Sequence, residues 1–217
     1  VAQHLAAAAM LLDEDEELAL DHAQHAVRRA GRVPAAREAL GLVLYRRGEF
    51  SEALREFRTA RRLSGSNHLL PYMVDCERGL GRPERALELA ASAEAKGLAE
   101  ADNIELAIVV SGVRRDLEQY DAAVMGLRIP ALTRASGQAW SARLFYAYAD
   151  ALLATGDEQG AHEWFSKALS ADANGETDAA ERLADLEGLV VEDLLEEDEV
   201  DGSSSTSPDV PGDGPQR

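Results

Sequence analysis

His22 and His25 stand one helical turn apart behind Asp21, a spacing that puts two imidazoles on one face of a helix. Such a pair can hold a divalent metal when a third ligand stands near. The sequence offers none close by: His4 and His68 have no companions, and His162-Glu163 lacks the H-E-x-x-H spacing of a metal hydrolase. Cys76 is the single cysteine, so no intrachain disulfide is possible and a reducing compartment is implied. Its neighbours Asp75 and Glu77 disfavour a thiolate, and it reads as a buried structural thiol. No G-x-x-x-x-G-K-[S/T] or G-x-G-x-x-G segment is present to cradle a phosphate. The expectation is a chain that is not an enzyme, with no catalytic residue, no metal and no cofactor.

What remains with chemical potential is charge. The formal net charge is −18, but it is laid down in blocks. Residues 1–27 hold six acids and no Lys or Arg, whereas residues 28–62 hold ten arginines against Glu38, Glu49, Glu52 and Glu56. Residues 189–217 return to nine acids against Arg217. An acidic chain with two lysines in all repels nucleic acid as a whole, although a basic island can attract an anion locally. The plainest reading pairs those arginines with the four interleaved glutamates. The longest apolar stretch near the start, Leu5 to Leu12, lacks a basic leader and runs into acids, so it does not read as a signal peptide. No apolar run approaches a membrane span, and a cytoplasmic protein is expected.

The elements that must position any site are helices. Apolar residues make up 46% of the chain and aromatics only 5%, the apolar share being mostly Ala and Leu, which favour close-packed helices over strands. An alanine recurs in the same setting at Ala19, Ala53, Ala86, Ala123 and Ala161, at spacings of 34, 33, 37 and 38 residues. Around Ala53 and Ala161 a large apolar residue follows at four positions and another alanine at seven, namely Phe57 and Ala60, Phe165 and Ala168. A period near ~34 residues marks stacked helix–turn–helix units. In the unit 34–67 a first helix from about Ala35 to Arg47 carries Leu40, Gly41 and Leu44 on one face. Gly48 supplies the turn, and Ser51 is expected to cap a second helix bearing Ala53, Leu54, Phe57 and Ala60. Gly41 and Ala53 let the two helices approach closely, with Phe57 filling the space beside them.

Leu40-Gly41, Leu44, Gly48, Ala53, Phe57 and Ala60 resemble the signature of the tetratricopeptide repeat. Residues 142–175 fit the same frame, with Phe145, Tyr148-Ala149, Leu152, Gly156, Ala161, Phe165 and Ala168. Weaker copies cover 1–33, 67–100 and 104–137; Pro83 is expected to open a second helix and Pro130 to close one. The resemblance implies an all-α fold, a right-handed superhelical array of about five antiparallel helix pairs over residues 1–188. A capping helix is expected over about 177–188, followed by an acidic, largely disordered tail over 189–217.

In that family the first helices of successive units line a concave groove. Carrying the frame over places Glu38, Leu42, Tyr45 and Arg46 there, then Tyr72, Asp75 and Arg78, then Ile108 and Arg115, then Tyr146 and Asp150. Arg46, Arg78 and Arg115 would form a column with Tyr45, Tyr72 and Tyr146 around it, and arginine and tyrosine are the types that anchor interfaces. One subgroup of the family grips a chaperone's acidic C-terminal tail with a clamp of Lys, Asn and Arg; Glu38 and Leu42 depart from that pattern. The function implied is an interaction module, a scaffold or adaptor that holds a protein or peptide segment, itself a monomer or weak homodimer. The alternative is a nucleic-acid- or anion-associated protein using the Arg28–Arg62 region, screened by an acidic tail folded back on it.

Overall fold

The computed structural model describes residues 1–134 and 137–188. The tail over 189–217, and with it the idea of a screening tail, lies outside the described residues. Twelve α-helices and no strand are found among those residues, so the all-α expectation holds. The helices are α1 (Ala2–Met10), α2 (Glu16–Ala30), α3 (Pro34–Arg46), α4 (Phe50–Ser64), α5 (Leu70–Gly79) and α6 (Pro83–Ala90). They continue with α7 (Glu100–Asp116), α8 (Tyr120–Leu127), α9 (Pro130–Arg134), α10 (Ser141–Ala154), α11 (Glu158–Ala171) and α12 (Ala179–Glu187). A 3₁₀ turn, Ala93–Gly97, follows α6.

Helices pair as α1/α2, α3/α4, α5/α6, α7/α8 and α10/α11, and the first helix of each following pair packs on the pair before it, against its second helix in every case. α12 lies against α11 and covers that end of the array. The recurring alanines explain the pairing: Ala19, Ala53, Ala86, Ala123 and Ala161 are all 0% exposed, each at the point where a second helix meets its partner. At Gly41 an added Cβ would stand 2.6 Å from the ring of Phe57, so the phenylalanine fits only because its partner has no side chain. Buried residues form three apolar clusters along the array, centred on Phe57, on Val74 and Val113, and on Phe165.

Three of the turns use glycine in the left-handed region, Gly48, Gly81 and Gly156, at φ +72°, +68° and +85°. The fourth uses Glu118 at φ +58°, where a side chain pays a steric cost. Two local expectations are corrected. Ser51 does not cap α4; the chain re-enters the helix at Phe50 behind Glu49, which leaves Ser51 exposed inside the first turn. Pro130 does not close α8, which has already ended at Leu127; it opens the short helix α9 instead. A proline disfavours helical geometry at the residue before it, and the break between α8 and α9 falls at Arg128 and Ile129.

Candidate functional site

Counting back from the turn residues Gly48, Gly81, Glu118 and Gly156 gives a common frame for α3, α5, α7 and α10. Residues three, six, ten and thirteen before each turn share one face, because those intervals are whole helical turns. Most residues lining two adjoining recesses come from this face. The larger, of about 480 Å³, contains Tyr45, Asp75, Arg78, Ile108, Arg115, Tyr146 and Asp150 from the expected set. The smaller, of about 120 Å³, contains Tyr72 with Tyr45 and Asp75. Tyr45, Asp75, Val109 and Arg143 line both, so the two form one groove.

A polar ladder ties successive units along this groove. Three positions before its turn, Tyr45 donates to Asp75 of the next unit, and Arg115 pairs with Asp150 of the next. Arg78 holds the same place in its unit but meets Gly112 where an acid would stand. A Cβ there would lie 2.6 Å from the Arg78 guanidinium. With none present, Arg78 lies across α7 and forks onto Asp116, at 2.5 and 3.1 Å, while keeping Asp75 at 3.4 Å. Its guanidinium is held still more firmly protonated by the bond to Asp116. Burial first, and Asp75 second, push the Tyr45 phenol upward. Burial, helped by a bond to Asp178, pushes Tyr146 up to about 12. Both phenols therefore stay protonated as donors at neutral pH.

Three expected groove residues fall elsewhere. Arg46 lies one residue beyond the groove frame, which turns it about 100° round the helix. It pairs with Asp13 at 3.0 Å, so the column is Tyr45, Arg78 and Arg115. Leu42 packs into the first apolar cluster, and Glu38 is taken by His68 at 3.2 Å, outside the lining of either recess. The arginines of the column are also already paired with acids, Arg78 with Asp75 and Asp116 and Arg115 with Asp150, which leaves the buried Nε of Arg115 without a partner.

The frame reaches residues that the sequence reading missed. His68, Glu105 and Arg143 stand thirteen before their turns and line the groove. Extending the frame by one helical turn towards the N-terminus would have found them. Ser111, also in the groove, takes the place that Gly41 holds in α3. The segment 176–178, between α11 and α12, closes one end and carries no repeat signal at all. Two buried polar atoms here lack a hydrogen-bond partner: Ser111 Oγ, on a residue only 2% exposed, and Arg115 Nε. Ser111 and Arg115 are four residues apart on α7, so both face the same recess.

Outside the groove, half of the Arg28–Arg62 island is neutralised. Arg37 pairs with Glu56 at 2.8 Å and Arg47 with both Glu49 and Glu17, but Arg46, Arg58 and Arg61 reach Asp13, Glu77 and Glu94. Glu77 is itself buried, held by Arg58 and Arg82. Arg28, Arg29, Arg32, Arg55 and Arg62 make no ion pair among the described residues. The histidines also differ from expectation. His4 of α1 shares a 2.7 Å hydrogen bond with His22 and stacks on His25 at 4.0 Å between ring centroids, so His22 and His25 do have a companion. Stacked rings do not turn their nitrogens onto one ion, and no group of three ligands in metal-holding geometry occurs among the described residues. Cys76 is fully buried, and burial with Asp75 and Glu77 pushes its thiol up to about 12.

No family model and no curated protein matches the chain. Among solved structures it resembles a thermophilic TPR protein of Thermus thermophilus, with a TM-score of 0.69 and 22% identity, over 87% of this chain and 99% of that one. It is also similar, more loosely, to YrrB, a TPR protein with an unusual peptide-binding site; there the TM-score is 0.48 and the identity 20%, over 79% of this chain and 86% of that one. The architecture is a tetratricopeptide-like helical repeat, an α-solenoid. Among the described residues no helix is long and apolar enough to cross a membrane.

Proposed function

We propose that the chain is a non-enzymatic interaction module that holds an extended protein segment in the groove formed by α3, α5, α7 and α10. The observation that carries this reading is the pair of buried, unpartnered donors, Ser111 Oγ and Arg115 Nε, in the floor of a recess of about 480 Å³. A buried donor left without an acceptor costs about 1–3 kcal/mol, and a segment's carbonyl oxygen relieves that cost on binding. The recess has apolar floor as well, from Ile108, Val109 and Ala147, the mixture a peptide's alternating polar backbone and apolar side chains require. The ion-pair ladder holds the groove in shape before any partner arrives, which lowers the ordering cost of binding.

The basic-island alternative has less to rest on. The notch between Arg58, Arg61 and Arg62 also contains Glu94, which takes up Arg61 at 2.9 Å. Photo-crosslinking separates the readings. A benzophenone side chain placed at Tyr146 should capture a discrete partner in the native host, and one placed at Arg62 or Leu169 should not. Capture of that partner from Arg62 alone would overturn the groove reading.

A further inference from the structure

The groove is unevenly charged. At one end Asp102, Glu105 and Glu176 gather around Arg143, which pairs with Glu105 at 2.7 Å. Burial raises the Glu105 carboxyl, and repulsion from Glu176 and Asp102 raises it further against the pull of Arg143. Three carboxylates thus face one cation. Asp102 makes no ion pair among the described residues, and Glu176 accepts from the neutral amide of Asn174 at 3.2 Å. The other groove arginines are engaged elsewhere: Arg78 with Asp75 and Asp116, Arg115 with Asp150. An acidic cluster alone says little. Here the recess containing Glu176 and Arg143 also holds Ser111 Oγ, buried and unpartnered, together with the free Nε of Arg115. Donors in the floor ask for an oxygen, and the acid-rich end asks for a cation.

We infer that the segment held in this groove is basic: a Lys or Arg side chain enters the Asp102–Glu105–Glu176 end while a main-chain carbonyl accepts from Ser111 and Arg115. This rests on the groove reading above, and it follows from the arginines of the column being paired with acids while two of the three carboxylates make no ion pair among the described residues. The free carboxylates attract the incoming cation over a distance of about one Debye length, so association is faster at low salt.

A random dodecapeptide display library panned against the full 217-residue chain tests this, with selected peptides then synthesised, labelled with fluorescein and titrated by anisotropy. Enriched peptides are expected to carry Lys or Arg beside an apolar residue. Their affinity should fall at least tenfold in the D102K/E176K double variant. It should change less than twofold in E88K/E163K, which makes the same charge change at sites outside the groove and so accounts for general attraction to an acidic chain. Val109→Arg, whose stem fills the recess floor, is the third arm, used after its unfolding midpoint has been checked against the parent. Peptides that are acidic or uncharged, yet lost in Val109→Arg, would overturn the basic-partner inference and leave the groove reading standing. Peptides bound equally well by a folded Val109→Arg chain would overturn both.

Discussion

In the helix pair α3/α4 a glycine on the first helix receives a phenylalanine from the second, and Phe57 is fully buried against Gly41. In α7/α8 the equivalent places carry Ser111 and Leu127, in α5/α6 Val74 and Ala90, and in α10/α11 Ala149 and Phe165. Size is traded between the two helices while the alanine at the crossing stays the same. The middle pairs also stop early: α6 and α8 have 8 residues each, against 15 in α4 and 14 in α11. Yet the groove's unpartnered donors, its glycine cradle and most of its acid-rich end lie on or beside α7. The units that keep the packing pattern best hold the fully buried phenylalanines, and those that keep it worst supply many of the polar groups that line the groove. A position released from filling a seam is free to carry a polar group.

Deleting the tight seam should separate the two kinds of unit most sharply. Phe57→Ala is expected to cost about 3–5 kcal/mol in urea unfolding, because no neighbour on α3 can fill the space it leaves. Gly41→Ala should cost about 1–3 kcal/mol, since its methyl would meet the Phe57 ring at 2.6 Å and the ring has little room to give. At the matching place in α7, Ser111→Ala is expected to leave stability within about 1 kcal/mol of the parent, as it removes a hydroxyl that already lacks a partner. The same substitution should weaken segment binding several-fold. A large loss of stability at Ser111 would mean that this position is packing after all.

Glu118 offers a smaller contrast between the glycine turns and the one turn without glycine. Glu118→Gly is expected to raise stability by up to about 1 kcal/mol, the left-handed strain removed slightly exceeding the added freedom of the unfolded chain. The smallest effect concerns α1. Burial, then His25 and His22, hold His4 below its ordinary value of 6.5, with the N-terminus and Arg29 adding to the same direction. The folded state thus prefers neutral His4, and the unfolded state takes up a proton first as pH falls. Docking of α1 should be complete above about pH 6.5 and weaken below it. Amide exchange in α1 at about pH 7.5 and about pH 5.5, corrected for intrinsic rates, is expected to show this loss, and His4→Gln to diminish it.

Much of the fold was legible because it rests on volume: Ala53, Phe57, Gly48 and their counterparts announce themselves by size and spacing. The groove was legible only as far as the frame could be carried. Tyr45, Asp75, Arg78, Ile108, Arg115, Tyr146 and Asp150 fall where the frame places them, because turn residues fix the register even in weak units. Arg46 was misplaced by a single residue, which on a helix is about a quarter turn. The pairing of Arg78 with Asp116 was not legible, since it depends on the absence of a side chain at Gly112. The meeting of His4 with His22 and His25 depends on how α1 folds back on α2, for which the sequence holds no spacing rule.

The central claim is that binding takes place on the first helices. Hydrogen–deuterium exchange of the full chain, with and without a saturating display-selected peptide, tests it most directly. Added protection in α5, α7 and α10, with α2, α4 and α11 unchanged, is the predicted result. Protection confined to α2, α4 or α11, with the first helices unaltered, would contradict the account.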